Sequence, residues 1–276
     1  MTQRIGTAGL LRRAATGATA VLAATTLLAG CSGGGAEDSS GPSPSSSPSA
    51  DPKAALLASV PDDKDPAFRF GGTDEEGAAI SGLVDPAAKG TELSVTQKNT
   101  DPEFTMKLSF RVIEERSWMK VAFVGADELA AQLKLPKKWM ELDESKIKDP
   151  AGVPGYEGPD PGNAGVIIEN ASGVTQQPDG SYAGTVDVTA DPDMKEALEV
   201  DEAALGDKAR AIPFTATIGP DGNLATLALK IPAAGKKKAV TYSVKYYDFG
   251  TAPKLAAPAG SEAQAAPATA YEMLNG

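Results

Sequence analysis

The stretch Phe104-Thr-Met-Lys-Leu-Ser-Phe-Arg-Val112 alternates without a break. Phe104, Met106, Leu108, Phe110 and Val112 fall on one side of an extended chain, and Thr105, Lys107, Ser109 and Arg111 on the other. Period two is a β-strand with one apolar and one wet face, and a sheet built from such strands must cover its apolar face. Weaker runs of the same kind cover Thr91–Gln97, Trp118–Val124, Trp139–Leu142, Tyr182–Thr189, Phe214–Ile218, Leu224–Ile231 and Val240–Phe249.

The turns between them agree. "QPDGS" precedes the Tyr182 run, "GPDGN" joins Ile218 to Leu224, and "AAGKKKA" joins Ile231 to Val240. Asp-Gly between alternating runs signals a hairpin, and strands joined by short turns make an antiparallel meander. Helical signals are few. Asp51 and Pro52 cap and open a short helix over Lys53–Val60. Ala126–Leu135 places Leu129 and Leu133 four residues apart, with Asp127 and Glu128 in its first turn. A further helical piece lies within Asp191–Gly206. The reading is an α+β chain: a curved antiparallel β-sheet covered on its concave face by a few short helices. A sheet covered so sparingly has room for an apolar ligand.

The N-terminal part is of a different kind. Arg4, Arg12 and Arg13 precede an uncharged run from Ala14 to Gly30, the order of a secretory signal peptide. The run is too short and too rich in alanine for a transmembrane helix. It ends in Leu28-Ala29-Gly30-Cys31, which looks like a bacterial lipobox, and Cys31 is the chain's single cysteine. On this reading residues 1–30 are a lipoprotein signal peptide and Cys31 is the lipid-attachment residue, acylated with diacylglycerol. Two acyl chains anchor stably where one does not. The alternative is a plain signal peptide with an incidental cysteine. Residues 31–52 are mostly Ser, Gly, Pro and Ala and read as a disordered tether. Residues 53–252 then form the β-rich domain, and residues 253–276, rich in Ala and Pro, read as a flexible tail.

Composition excludes much chemistry. The chain has no histidine, which rules out Ser-His-Asp and Cys-His catalysis and every His-based zinc site. Removing residues 1–30 takes three arginines and no acid, moving the formal net charge from −11 to −14. Nucleic acid is therefore not an expected partner, nor is broad adsorption to anionic lipid. Ser117/Lys120 and Ser145/Lys148 fit S-x-x-K but lack the companion motifs. Asp191, Asp193 and Glu196 lack the spacing of a calcium loop. No catalytic residue, metal or cofactor is expected. Lys236, Lys237 and Lys238 read as solvated turn residues, or as contacts to lipid phosphates.

Several segments, taken in order, resemble the actinobacterial lipoproteins of the LppX/LprG type, whose fold is similar to that of the periplasmic carrier LolA. They are the Leu28–Cys31 lipobox, the Ser/Pro tether, Gly82-Leu-Val-Asp85, "KKWMELDESKI" (137–147) and "GSYAGTVDVT" (180–189). "IPFTATIGPDGNLATLALKI" (212–231) and "YSVKYYDFGTAPKLAAP" (242–258) follow. The resemblance implies a half-barrel sheet folded around a helix, with an apolar pocket for lipid or lipoprotein acyl chains and no catalysis. The Gly- and Pro-rich segment Asp149–Asn163 departs from the family pattern.

The expected function is a membrane-anchored extracytoplasmic lipoprotein, a monomer, that binds a lipid or glycolipid. Phe104, Met106, Leu108, Phe110, Leu129 and Leu133 would line its cavity. The same stripe also fits plain core packing. The alternative function is a tethered envelope protein-interaction module with a filled core and no ligand.

Overall fold

The computed structural model describes residues 51–149 and 153–275. The expected signal peptide of residues 1–30, the expected lipidation site Cys31 and the expected tether up to residue 50 lie outside the described residues.

The fold is α+β and is dominated by one open sheet of twelve strands. The strands are β1 (Phe68–Thr73), β2 (Ala79–Asp85), β3 (Gly90–Thr100), β4 (Glu103–Ile113), β5 (Arg116–Val124) and β6 (Trp139–Glu141). After them come β7 (Ala171–Gln176), β8 (Tyr182–Val186), β9 (Ile212–Ile218), β10 (Leu224–Ile231), β11 (Val240–Tyr247) and β12 (Ala263–Ala265). The spatial order is β12-β6-β5-β4-β3-β2-β1-β11-β10-β9-β8-β7. A single meander was expected. There are instead two, β1 to β6 and β7 to β11, joined by antiparallel pairing of β1 with β11. The last strand, β12, adds to β6 in parallel.

Alternation builds one apolar face across the whole sheet. In-register partners share a face. Leu229 opposes Phe214 and Tyr242, Phe70 opposes Tyr246, Val95 opposes Ile80 and Leu108, and Phe110 opposes Met119. Short helices cover this face: α1 (Pro52–Leu57), α3 (Ala164–Glu169), α4 (Pro192–Ala197) and α5 (Glu202–Leu205). Aspartate caps start three of them as the local sequence dictates. Asp51 accepts the Lys53 N–H at 3.0 Å, Asp191 that of Asp193 at 2.9 Å, and Asp201 that of Ala204 at 2.9 Å. Leu56, Ile167, Ile168, Met194 and Leu205 carry these helices into a core with Phe68, Phe70, Phe214, Leu227 and Tyr242. The remaining short helices are α2 (Asp127–Leu133) and α6 (Ala268–Asn275).

The stretch from residue 253, expected to be a flexible tail, is part of the fold. The Leu255 N–H donates to Asp85 at 3.0 Å, and Arg111 donates to the Ala256 carbonyl at 3.0 Å, so the chain crosses the face opposite the core. It then pairs with β6 at the sheet edge, and α6 places Ala270 and Tyr271 in a second buried cluster with Leu108, Phe110, Met119, Val121 and Met140. Composition concealed this. A strap that borrows its hydrogen bonds from an existing sheet needs few large apolar residues of its own, and edge strands are commonly covered this way.

Candidate functional site

The apolar face is continuous but unevenly covered. Over β1–β3 and β7–β11 it is sealed, and the seal includes a polar clasp. The Tyr242 hydroxyl donates to the Gly162 carbonyl at 2.7 Å, and the Tyr246 hydroxyl donates to the Asp160 carboxylate. Burial pushes the Asp160 carboxyl above the usual carboxylate range, and pushes both tyrosines well above theirs, with the Asp160 charge adding to the effect. Residues 153–163 have no helix or strand, yet this clasp fixes them across the core. Lys53 does the same for α1, donating to the carbonyls of Glu169 and Ala171 at 2.8 and 3.0 Å.

The cover over β4–β6 is thinner. Leu108, Phe110, Met119, Val121 and Met140 are buried beneath α6. Farther along the same strands, Met106 opposes Phe123, and the Phe104 and Phe123 rings lie 6.3 Å apart. Phe104, Met106 and Phe123 are only half-buried, although they continue the buried row. On β3, the residues in register with Phe104 and Met106 are Asn99 and Gln97, so the apolar strip is bordered by two amides. The strip thus grades from a filled core under Tyr271 to an open apolar surface at Phe104.

Of the six residues expected to line a cavity, the structure brings Phe104, Met106, Leu108 and Phe110 together in one row. Leu129 and Leu133 lie on α2, are half-buried, and belong to neither buried cluster. Sequence reasoning did not include Met119, Val121 and Phe123. The two-residue turn Glu114-Glu115 sets the β4–β5 register, with Ile113 opposite Arg116, and that register alone places Phe123 beside Met106.

The opposite face is a polar lattice. Arg111 sends two N–H groups to Glu92, at 2.9 and 2.6 Å, and its guanidinium sits 4.7 Å from the centre of the Trp139 ring. Arg116 lies over Trp118 in the same way at 4.7 Å. Trp118 is fully buried, and its indole N–H has no hydrogen-bond partner among the described residues. Lys236, Lys237 and Lys238 are exposed on the β10–β11 hairpin. Among the described residues no helix is long and apolar enough to cross a membrane.

No family model and no curated protein matches this chain.

Proposed function

We propose that the protein is a membrane-tethered, non-catalytic binder of lipid acyl chains, held by a diacylglycerol on Cys31 at the extracytoplasmic face of the cell membrane. Its twelve-stranded sheet would curve as a half-barrel around the acyl chains. The reading takes the anchor from the Leu28–Cys31 motif and the carrier class from the LppX/LprG resemblance. The observation that carries it is the half-buried strip of Phe104, Met106 and Phe123, which extends a filled core without being filled itself.

An acyl chain laid along this strip would add to the row that Leu108 and Val121 already form. Each buried methylene contributes about 0.8 kcal/mol, so a chain of ordinary length gains ample free energy from a strip a few residues long. Gln97 and Asn99 stand where the polar end of such a molecule would leave the sheet. Leu129 and Leu133 would join the site by α2 closing over the chain. The test is uptake of a fluorescent fatty-acid analogue by the chain from residue 32 onward. Saturable uptake that Met106→Glu abolishes supports the reading. No uptake, together with a partner captured from envelope extract, points to an interaction module.

A further inference from the structure

Strand register sorts the charges of the sheet between its two faces. The face opposite the core carries Lys98 on β3, Lys107 on β4, Lys120 on β5, Lys230 on β10 and Lys245 on β11. None of these lysines forms an ion pair among the described residues. The carboxylates on that face are already engaged. Asp85 accepts the Leu255 N–H, Glu92 is held by Arg111, and Glu141 is held by Arg116. Glu103 stands at the rim, where β4 begins.

The lysines are densest on β3–β5. Lys98 lies opposite Thr105 and Lys107 opposite Ala122, so Lys107 is the diagonal neighbour of Lys98, and Lys120 of Lys107. Diagonal neighbours sit about 7–8 Å apart. Lys98 and Lys107 are exposed and Lys120 is half-buried, with only Thr105, Ser109 and Ala122 directly between them. Like charges so placed repel unless an anionic partner lies across them. Val124 shares this face, opposite Thr105, and is 68 % exposed. Asp101, Asp127 and Glu128 are outside the paired strands, in the β3–β4 turn and at the start of α2.

A positive diagonal among small residues, with an exposed apolar side chain at its end, fits spaced anions over an apolar interior. The net charge of −11 argues against broad adsorption to such a surface, but it is spread over the whole chain. Screening acts over about 8 Å at physiological ionic strength. Layers of a fold pack about 10 Å apart, so Asp191 and Glu202 on the helix side lie beyond that length from anything seated on the lysines. We propose that this face of β3–β5 docks on an anionic lipid bilayer, with Lys98, Lys107 and Lys120 against headgroup phosphates and Val124 in the interface. The surface goes beyond the acyl-chain strip and does not rest on it, because the strip lies on the opposite face of the same strands.

The test is co-sedimentation with vesicles, made of phosphatidylglycerol with phosphatidylcholine or of phosphatidylcholine alone. The chain from residue 32 onward contains every described residue and lacks the uncharged run of residues 14–30, which would itself enter a bilayer. It should bind the anionic vesicles at least about tenfold more tightly than the neutral ones, and lose that preference between about 0.1 M and about 0.5 M salt. Each lysine near an anionic surface tightens binding about fivefold. Lys98→Gln, Lys107→Gln and Lys120→Gln together should therefore weaken it at least about tenfold. Lys98→Gln with Lys107→Gln changes exposed positions only, and should still weaken it at least about fivefold if the triple variant fails to fold. Val124→Ser should weaken binding as well, which a purely ionic contact would not show. Lys236→Gln, Lys237→Gln and Lys238→Gln together should bind as wild type. No binding to anionic vesicles, equal binding to neutral ones, a folded β3–β5 lysine variant that binds as wild type, or an equal loss from the hairpin variant overturns the proposal.

Discussion

The Tyr271 hydroxyl accepts the Asp143 backbone N–H at 2.8 Å, tying α6 to the chain just past β6 across 128 residues of sequence. The same ring is buried in the second cluster, with the Lys146 ammonium 5.4 Å from its centre. Tyr271→Phe therefore leaves the packing and removes one hydrogen bond, at a cost of about 1 kcal/mol. Tyr271→Ala also opens a cavity under Leu108 and Met140, for about 3 to 5 kcal/mol. Thermal melts check this, with a fall of roughly 2 to 4 °C per kcal/mol for a chain of this size.

Arg111 holds three groups at once: Glu92, the Ala256 carbonyl and the face of Trp139. Lysine keeps the charge but cannot reproduce a forked donor or stack flat on an indole. Arg111→Lys is expected to cost about 1 to 2 kcal/mol, and to speed amide hydrogen exchange around residues 253–258 more than in β4 itself.

The strip and the core separate by substitution. Leu108→Ala removes buried methyl groups and should cost about 2 to 5 kcal/mol. Met106→Glu and Phe123→Glu alter half-buried positions and should each cost less than about 1.5 kcal/mol, while weakening acyl-chain binding by at least about tenfold. Denaturant titration and fatty-acid uptake on the same preparations distinguish the two effects.

Burial raises the Glu75 carboxyl from its ordinary 4.5 to about 7. Between those values the folded chain holds a proton that the unfolded chain has released. Stability therefore falls as pH rises through this window, and levels off above about 7. The loss is on the order of 3 kcal/mol. Glu75→Gln should flatten this slope, so the variant gains on the wild type as pH rises from 4.5 to 7. Urea denaturation at closely spaced pH values measures it.

Much of the sheet was legible because alternation is strong over β4 and recurs more weakly over β3, β5, β9 and β10, and because Asp-Gly marks the turns at Asp179 and Asp221. β1 and β2 were harder. "FRFGGT" was not among the runs read as strands, and two glycines interrupt its alternation; a Cβ on Gly72 would lie 1.8 Å from the Ser243 carbonyl oxygen, so the close strand pairing needs that residue. Gly82 likewise makes room for the Phe70 ring, whose Cε1 would be 2.3 Å from an added Cβ. β7 was hidden by a register shift between Ser172 and Thr175 around Gly173. The α6 strap was hidden by its linker-like composition, and its anchor points, Asp85 and Asp143, carry no local signal of a distant partner. At the candidate site the row on β4 was readable from its own sequence. Phe123 was not, because its place depends on pairing between strands, and the placement of Leu129 and Leu133 depends on how a short helix docks.

The central claim is that the strip at Phe104, Met106 and Phe123 holds acyl chains. Native mass spectrometry of the chain from residue 32 onward, purified from its source cells without detergent, tests it most directly. The account predicts a bound lipid mass that is lost from Met106→Glu and kept by Arg111→Lys. A ligand-free wild-type chain that also refuses added fatty acid would contradict it.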